Sequence, residues 1–199
     1  MQANAWMSTA EVAWREPLGV RETPAEYVFL RPRLYLETTI PSYLTARISR
    51  DLLMARRQRI TMRWWNSWRT NFDIFISGHV IKEAARGDAE AAERRGQLLA
   101  PLRLLEDEDH SIRLHDQIMR ECGLPLRAKT DAAHVAVASV HKMQYLLTWN
   151  CAHLANPMFA LRISAVCNFA GYRCPVLCTP EQLLHRYEYG QIDDQLSAP

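Results

Sequence analysis

Three carboxylates and one amide occupy positions where the sequence predicts strand ends or early helical turns. They are Glu37, Glu83, Asp131 and Asn150. In an open α/β sheet, the carboxyl ends of the strands and the first turns of the following helices meet at one edge, so these side chains can converge there. Converging carboxylates repel each other unless a cation neutralises them. Ligand sets made only of oxygen favour Mg²⁺ or Mn²⁺ over zinc, and such an ion can activate water for attack on a phosphate.

The segment 129–156 contains the clearest pair of elements that could position such groups. Its first part has small and apolar residues at three- and four-residue spacing, which predicts a helix packed flat on another layer. Asp131 lies in the first turn of this helix. The short apolar run 145–147 then predicts a buried parallel strand that ends near Asn150.

The rest of the chain alternates short apolar runs with helical patterns. Strands are predicted at 34–36, 71–76, 102–105, 145–147 and 175–177, and helices at 47–69, 89–99, 112–121 and 157–169. Glu83 falls about two turns into a further helix that follows the second strand. This alternation predicts one α/β domain, a three-layer α/β/α sandwich with a mainly parallel central sheet.

Length, charge and cysteine content limit the class of protein. A chain of 199 residues, 48% of them hydrophobic, is long enough for one domain with a real core, and its net charge of +2 says little about partners. No apolar run reaches the roughly 18 residues of a membrane span, and the start lacks a signal-peptide pattern, so we expect a cytoplasmic protein without membrane contact. The five cysteines form no repeated close pair and are expected to be reduced thiols.

The ends of the chain differ in composition from its middle. Residues 1–32 contain three prolines and no apolar face, which predicts a poorly ordered N-terminal extension. A docking arm that uses Trp6 and Trp14 is the alternative for this segment. We place the folded domain at 33–186 and a polar tail at 187–199.

The predicted helix 47–69 is strongly basic. Its buried stripe is expected to comprise Leu53, Ile60, Trp64 and Trp68. Its arginines are candidates for binding RNA phosphates, and they are Arg47, Arg50, Arg56, Arg57, Arg59 and Arg63. The alternative is that these arginines only solvate the outer face of the helix.

Five segments in order resemble the PIN-domain family, in particular its VapC-like toxin group. They are LYLETTIPSYL, SGHVIKEA, KTDAAHVAVASVH, YLLTWNCAH and CTPEQLL, spanning residues 34–184. Each motif is weak alone, and their order and spacing carry the resemblance. Position by position, the family's four acidic positions fall on Glu37, Glu83, Asp131 and Asn150, and the resemblance implies metal binding by the three carboxylates among them.

The resemblance implies a Mg²⁺- or Mn²⁺-dependent endoribonuclease built as an α/β/α sandwich. In toxin members it also implies neutralisation by a cognate antitoxin protein and assembly as a homodimer. Two positions depart from the common pattern, since most members have Asp where this chain has Glu37, and Asn150 adds no negative charge. These departures motivate an alternative, a PIN-like module with weakened catalysis that binds RNA or protein.

Four further side chains could assist the predicted centre. Thr38 and Thr148 could orient the metal-bound water, and His134 and His153 could hold a phosphate or one of the carboxylates. Each has a structural alternative: capping or strand packing for the threonines, and a buried hydrogen-bonded role for the histidines. Taken alone, Glu37 is better explained as an exposed charge at the N-terminus of a helix. Thr39 could cap that helix. Trp149 is expected to pack in the core.

Overall fold

The computed structural model describes residues 31–152 and 154–188. Within these residues, five short strands form one sheet in the order β3-β2-β1-β4-β5, and all of its pairings are parallel. The strands are β1 (Arg33–Leu36), β2 (Asp73–Ser77), β3 (Arg103–Leu105), β4 (Tyr145–Leu147) and β5 (Val176–Cys178). The predicted α/β class with a parallel central sheet is confirmed.

Helices flank this sheet. They are α1 (Thr39–Thr45), α2 (Leu52–Ser67), α3 (Gly78–Ala84), α4 (Ala89–Leu99), α5 (Asp109–Glu121), α6 (Lys129–Val140), α7 (Pro157–Phe169) and α8 (Pro180–Glu188). The contacts define two groups of helices. In the first group, α1 contacts α2 and α4, and α2 contacts α8; in the second group, α5 contacts α6 and α7. Right-handed crossovers place the two groups on opposite faces of the sheet. None of the helices in the described ranges is long and apolar enough to cross a membrane.

The core covers both faces of the sheet, and helix α6 contributes a large share of it. Leu34, Leu36, Leu146 and Leu147 are inaccessible to solvent, as expected of strands covered on both faces. All residues of α6 from 132 to 139 are buried, so this helix is enclosed by protein rather than lying at the surface. Its alanines allow close approach to neighbouring layers. The predicted small-residue helix is therefore confirmed, with Asp131 in its first turn.

Helix α2 departs most from the sequence prediction. It begins at Leu52 instead of residue 47, because the Asp51 side chain accepts a hydrogen bond from the Met54 amide at 2.8 Å and caps the helix there. The predicted buried stripe is wrong at Leu53, which is 54% exposed, and right at Trp64. The buried face consists of Ala55, Gln58, Thr61 and Trp64. Gln58 and Thr61 are tolerated there because their side chains are hydrogen-bonded, Gln58 to Arg47 O at 2.9 Å and Thr61 to Arg57 O at 2.7 Å.

Several boundaries differ by a few residues. Helix α5 begins at Asp109, three residues before its predicted start, and β2 begins at Asp73, after a 3₁₀ turn at Arg69–Asn71. Helix α8 continues through Glu188, and the Tyr187 ring packs edge-on against Phe72 at 5.3 Å between centroids. The predictions for the extension 1–32 and the tail 187–199 otherwise lie outside the described residues.

Candidate metal centre at the carboxyl edge of the sheet

The order of the strands creates a crevice beside β1. The chain crosses from β1 to β2 on one side, whereas the connection from β3 leads to β4 on the other side. In open parallel sheets, ligands bind at the carboxyl ends of the strands where the order reverses in this way. Glu37 follows β1 at this point, and its backbone N–H donates to the Leu147 carbonyl at the end of β4 at 3.1 Å.

Glu37 is a buried carboxylate held by several donors. Its side chain and backbone are only 4% exposed, so the alternative of an exposed helix-end charge is wrong. Oε2 accepts hydrogen bonds from the Thr39 amide at 3.0 Å, from the Thr39 hydroxyl at 2.5 Å and from the Thr148 hydroxyl at 2.8 Å. Thr39 is the first residue of α1 and a hydrogen-bond partner of Glu37. Its predicted role as the helix cap is wrong, because the cap position of α1 is occupied by Thr38. These donors compensate the loss of water around the charge.

Glu83 reaches the same point from helix α3. Its Oε2 accepts a hydrogen bond from the Thr38 hydroxyl at 2.6 Å and one from His134 Nε2 at 3.0 Å. Partial burial by itself raises the pKa of Glu83, but the hydrogen bonds from His134 and Thr38 outweigh burial and lower the pKa below its usual value. The carboxyl of Glu83 is therefore ionised at neutral pH.

His134 is completely buried and connects Glu83 to the sheet. Its Nδ1 lies 2.7 Å from the Tyr35 hydroxyl, which lies 2.6 Å from the Ser77 hydroxyl. Because an ionised carboxylate only accepts, His134 Nε2 carries a proton toward Glu83. In the neutral ring Nδ1 then accepts from Tyr35, and burial raises the pKa of Tyr35 so far that its phenol keeps its proton. The chain of bonds positions His134 against Glu83.

Asp131 and Asn150 form a second pair at the same edge. Asp131 Oδ1 accepts a hydrogen bond from Asn150 Nδ2 at 2.9 Å, and both residues are partly exposed. The backbone N–H of Asn150 donates to the Thr148 hydroxyl at 2.9 Å, and that hydroxyl donates to Glu37. Hydrogen bonds thus connect Asp131, through Asn150 and Thr148, to the Glu37 carboxylate.

The described residues contain one group of side chains that could hold a metal ion. It consists of Glu37, Glu83 and His134, whose ligand atoms all lie within 4.8 Å of one another. Asp131 is not part of that trio. Within the described part of the chain, the hydrogen bonds to the two glutamate side chains all use Oε2. Two carboxyl groups with oxygens this close, and a third at the same edge, fit a hard divalent ion.

A cleft of about 520 Å³ opens beside the two glutamates. Its walls come from the end of β1, from α1, α2 and α3, and they comprise Glu37, Thr38, Thr39, Ser42, Tyr43, Ala46, Met54, Gln58, Glu83 and Arg86. Arg86 is the cation in this lining, and its charge also helps to lower the pKa of Glu83. The volume is that of an ordinary ligand pocket, so the cleft can admit part of a substrate.

The predicted arginine surface is partly used within the protein. Arg56 forms an ion pair with Glu181, and Arg63 NH2 lies 2.7 Å from Glu188 Oε1, so both of these arginines connect α2 to α8. Arg57 lies over the Trp149 ring at 5.3 Å from the ring centroid. The remaining three predicted arginines, Arg47, Arg50 and Arg59, are exposed.

Sequence reasoning missed two members of the network and could have suspected one of them. Tyr35 stands in a strand of aliphatic residues that is fully buried, and a buried tyrosine needs a partner for its hydroxyl. No comparable signal identified Ser77 as that partner, because it also serves as the N-cap of α3. Trp149 packs in the core as expected, 6% exposed, with Nε1 donating to Thr61 at 2.7 Å. His153 lies outside the described residues.

Comparisons with known proteins give a likeness in structure but none in sequence. No protein family model and no curated protein sequence matches this chain. One similar solved structure is the crystal structure of VapBC2 from Rickettsia felis bound to a DNA fragment from their promoter. The match has 16% sequence identity and a TM-score of 0.46, and it covers 62% of this chain and 92% of that chain. So distant a likeness carries no argument about function, which rests on the residues of this chain.

Proposed function

We propose that this protein is a PIN-like endoribonuclease that depends on Mg²⁺ or Mn²⁺. One observation carries the proposal: Glu37 and Glu83 bring carboxylate oxygens within 4.8 Å of each other, next to His134, at the edge of a parallel sheet where ligands bind. The resemblance of five ordered sequence segments to PIN domains supports the same reading. The proposed reaction is hydrolysis of an RNA phosphodiester, in which water adds to phosphorus and the bond to the leaving ribose oxygen breaks.

The residues of the network have separate roles in this proposal. Glu37, Glu83 and Asp131 would hold the ion, and Asn150 would hold Asp131 in place. When bound, the ion would lower the pKa of a water molecule and neutralise charge that develops on the phosphate. Thr39 and Thr148 fix the orientation of the Glu37 carboxyl group through hydrogen bonds to its Oε2.

Glu83 has its own set of supporting side chains. Thr38 and His134 fix its Oε2 by hydrogen bonds of 2.6 and 3.0 Å. His134 is a positioning residue in this proposal, because its Nε2 proton points to Glu83 and not to a substrate. The chain from Ser77 through Tyr35 restricts the imidazole to one orientation.

We further propose that the protein is the toxin of a toxin–antitoxin pair and forms a homodimer. The sequence resemblance supports this proposal, and so do exposed apolar side chains at the start of α2, where Leu52 is 85% and Leu53 54% exposed. Apolar residues grouped at a surface often mark a protein interface. Sedimentation of the purified chain should give twice the monomer mass. A monomer at micromolar concentration would contradict the dimer and leave the nuclease proposal untouched.

RNA cleavage tests the nuclease proposal directly. Total cellular RNA should be cut at defined positions in the presence of Mn²⁺, and chelation of the metal should stop the reaction. Glu83→Gln and Asp131→Asn should each abolish cleavage while their circular dichroism spectra remain those of the folded wild type. Glu93→Gln, an exposed glutamate on α4, is the matched control and should cut normally. Full activity in either of the first two variants would refute the assignment.

A second candidate is an RNA-binding module without catalysis. It is favoured by the five hydrogen bonds that already satisfy the two glutamates, three to Glu37 and two to Glu83. In this case binding would use the exposed arginines Arg47, Arg50 and Arg59, would weaken with salt, and would persist in chelator. Metal-stimulated loss of RNA would decide against this candidate.

A further inference from the structure

A second cleft lies next to the candidate metal centre. It encloses about 310 Å³ between α3, the loop after β3, α5 and the first turns of α6. Its lining comprises His79, Asp107, Ser111, Ile112, His115, Asp116, Lys129, Thr130, Ala133 and Val137. His79 lines this cleft, and its ring packs edge-on against His134 at 6.2 Å between centroids. The cleft is therefore one side chain away from His134, which is hydrogen-bonded to Glu83. Lys129, Thr130 and Ala133 flank Asp131 on α6.

Two buried polar atoms of this lining have no hydrogen-bond partner among the described residues. They are Ser111 Oγ and His115 Nε2, and Ser111 is only 3% exposed. The two residues are four apart on α5 and therefore lie on one face of the helix. A buried polar group without a partner is costly, and native proteins have few of them. Both atoms are inaccessible to solvent, so a ligand in the cleft relieves that cost when the Ser111 and His115 side chains rotate toward it on binding.

The hydrogen bond between His115 and Asp116 determines which ring nitrogen of His115 remains for a ligand. Nδ1 lies 2.8 Å from Asp116 Oδ1, and since the carboxylate only accepts, Nδ1 carries the proton. Nε2 is then the ring atom that remains for a hydrogen bond to a ligand. The Ser111 hydroxyl can rotate to donate to an acceptor beside it. Ile112, Ala133 and Val137 supply apolar walls.

A nucleobase has this combination of properties. Each base has two apolar faces and an edge on which donors and acceptors are adjacent. A metal ion fits less well, because no three metal-binding side chains of this lining converge within the described residues. A simple anion also fits less well, because Asp107 and Asp116 line the cleft together with Lys129. A volume of about 310 Å³ is at the lower end of ligand pockets and suits one base with its sugar.

We propose that this second cleft binds one unpaired base of the RNA substrate, with Ser111 and His115 reading its edge and Ile112 packing against its face. The inference rests on the proposed ribonuclease function and gives it a determinant of sequence preference. Because the cleft adjoins the metal centre through His79 and His134, the base bound here belongs to a nucleotide close to the phosphate that is cut.

Nucleoside binding without metal tests this proposal. The four ribonucleosides and, separately, inorganic phosphate are titrated into the full ¹⁵N-labelled chain in EDTA, with amide chemical shifts as the readout. At least one nucleoside should bind saturably and shift the amides of residues 111–115, with unequal affinities among the four bases. Ser111→Ala should weaken the preferred nucleoside about fivefold, the effect of one lost hydrogen bond. Ile112→Ala should weaken all of the nucleosides, and the matched control Ser164→Ala on α7 should change none.

Three results would overturn the base site. They are the absence of nucleoside shifts at α5, unchanged affinities in both Ser111→Ala and Ile112→Ala, or the same shifts caused by phosphate alone, which would indicate an anion site. Because EDTA is present, the outcome does not depend on the metal centre. Nucleoside binding without any RNA cleavage would support the base site and refute the nuclease proposal. RNA cleavage without nucleoside binding would support the nuclease proposal and refute the base site.

Discussion

Replacement of Tyr35 by phenylalanine tests the buried network that positions Glu83. The Tyr35 hydroxyl is the only group that links Ser77 to His134 within the described network, with hydrogen bonds of 2.6 and 2.7 Å. Tyr35 is inaccessible to solvent, so no water at the protein surface can replace the lost hydroxyl directly. Phenylalanine retains the ring and its packing. The substitution therefore removes two hydrogen bonds and leaves His134 Nδ1 without its partner.

The expected cost follows from general hydrogen-bond energies. Two lost hydrogen bonds between neutral groups contribute about 1 kcal/mol each, and one buried group left unsatisfied adds about 1 kcal/mol. The free energy of unfolding should fall by about 2 to 3 kcal/mol. With a typical urea dependence of about 2 kcal/mol per molar, the midpoint should shift by about 1 to 1.5 M.

Urea unfolding of two Tyr→Phe variants provides the measurement. Tyr43→Phe is the matched control, because the Tyr43 hydroxyl contacts only the Met54 sulfur in the described residues, at 3.3 Å and near the surface. This control should shift the midpoint by less than about 0.3 M, as expected of a surface change. A shift in Tyr35→Phe that is no larger than in Tyr43→Phe would refute the network.

Three further predictions concern neighbouring groups. Thr148→Val removes a donor to a buried carboxylate and should cost about 1.5 to 3 kcal/mol of unfolding free energy, measured with urea. The lowered pKa of Glu83 stabilises the fold at pH values above the pKa of an unfolded glutamate, and this stability is lost as the pH falls through the pKa of Glu83 in the folded protein. Since Thr38 helps to lower that pKa, Thr38→Val should reduce the difference in unfolding free energy between pH 7 and pH 3. An unchanged difference would contradict the role of Thr38. Burial raises the pKa of Cys178 to about 12, so iodoacetamide at pH 8 should label the exposed Cys151 and not Cys178, as mass spectrometry of the native protein would show. Rapid labelling of Cys178 would refute its burial.

The fold could be predicted well from sequence where periodicity and burial coincide. The strand Tyr145–Leu147 and the helix Pro157–Phe169 were predicted with the bounds that the structure has, because short apolar runs and a Pro–Gly boundary define them locally. Helix α2 was predicted less well, since its buried face contains Gln58 and Thr61, whose burial depends on hydrogen bonds to distant or backbone partners. Hydrophobic periodicity cannot detect a buried polar residue that is satisfied in this way.

The site shows the same division. Strand ends and helix starts identified Glu37, Glu83 and Asp131 as neighbours at one edge, since topology alone brings those positions together. The sequence indicated that His134 could hold a phosphate or a carboxylate, but not that its partner is Glu83, because this contact depends on the depth to which each side chain reaches. The pairing of Asp131 with Asn150, and its separation from the trio of Glu37, Glu83 and His134, likewise depends on side-chain geometry.

Titration of Mn²⁺ into the purified chain by calorimetry tests the central claim most directly, because it needs no knowledge of the RNA substrate. The wild type and Glu93→Gln should bind the ion saturably, with equal affinity. Glu83→Gln and Asp131→Asn should each weaken binding at least about tenfold, as is typical when a group that holds a metal is lost. If the wild type binds no Mn²⁺, or if Glu83→Gln binds it as tightly as the wild type, Glu37 and Glu83 do not form a metal centre.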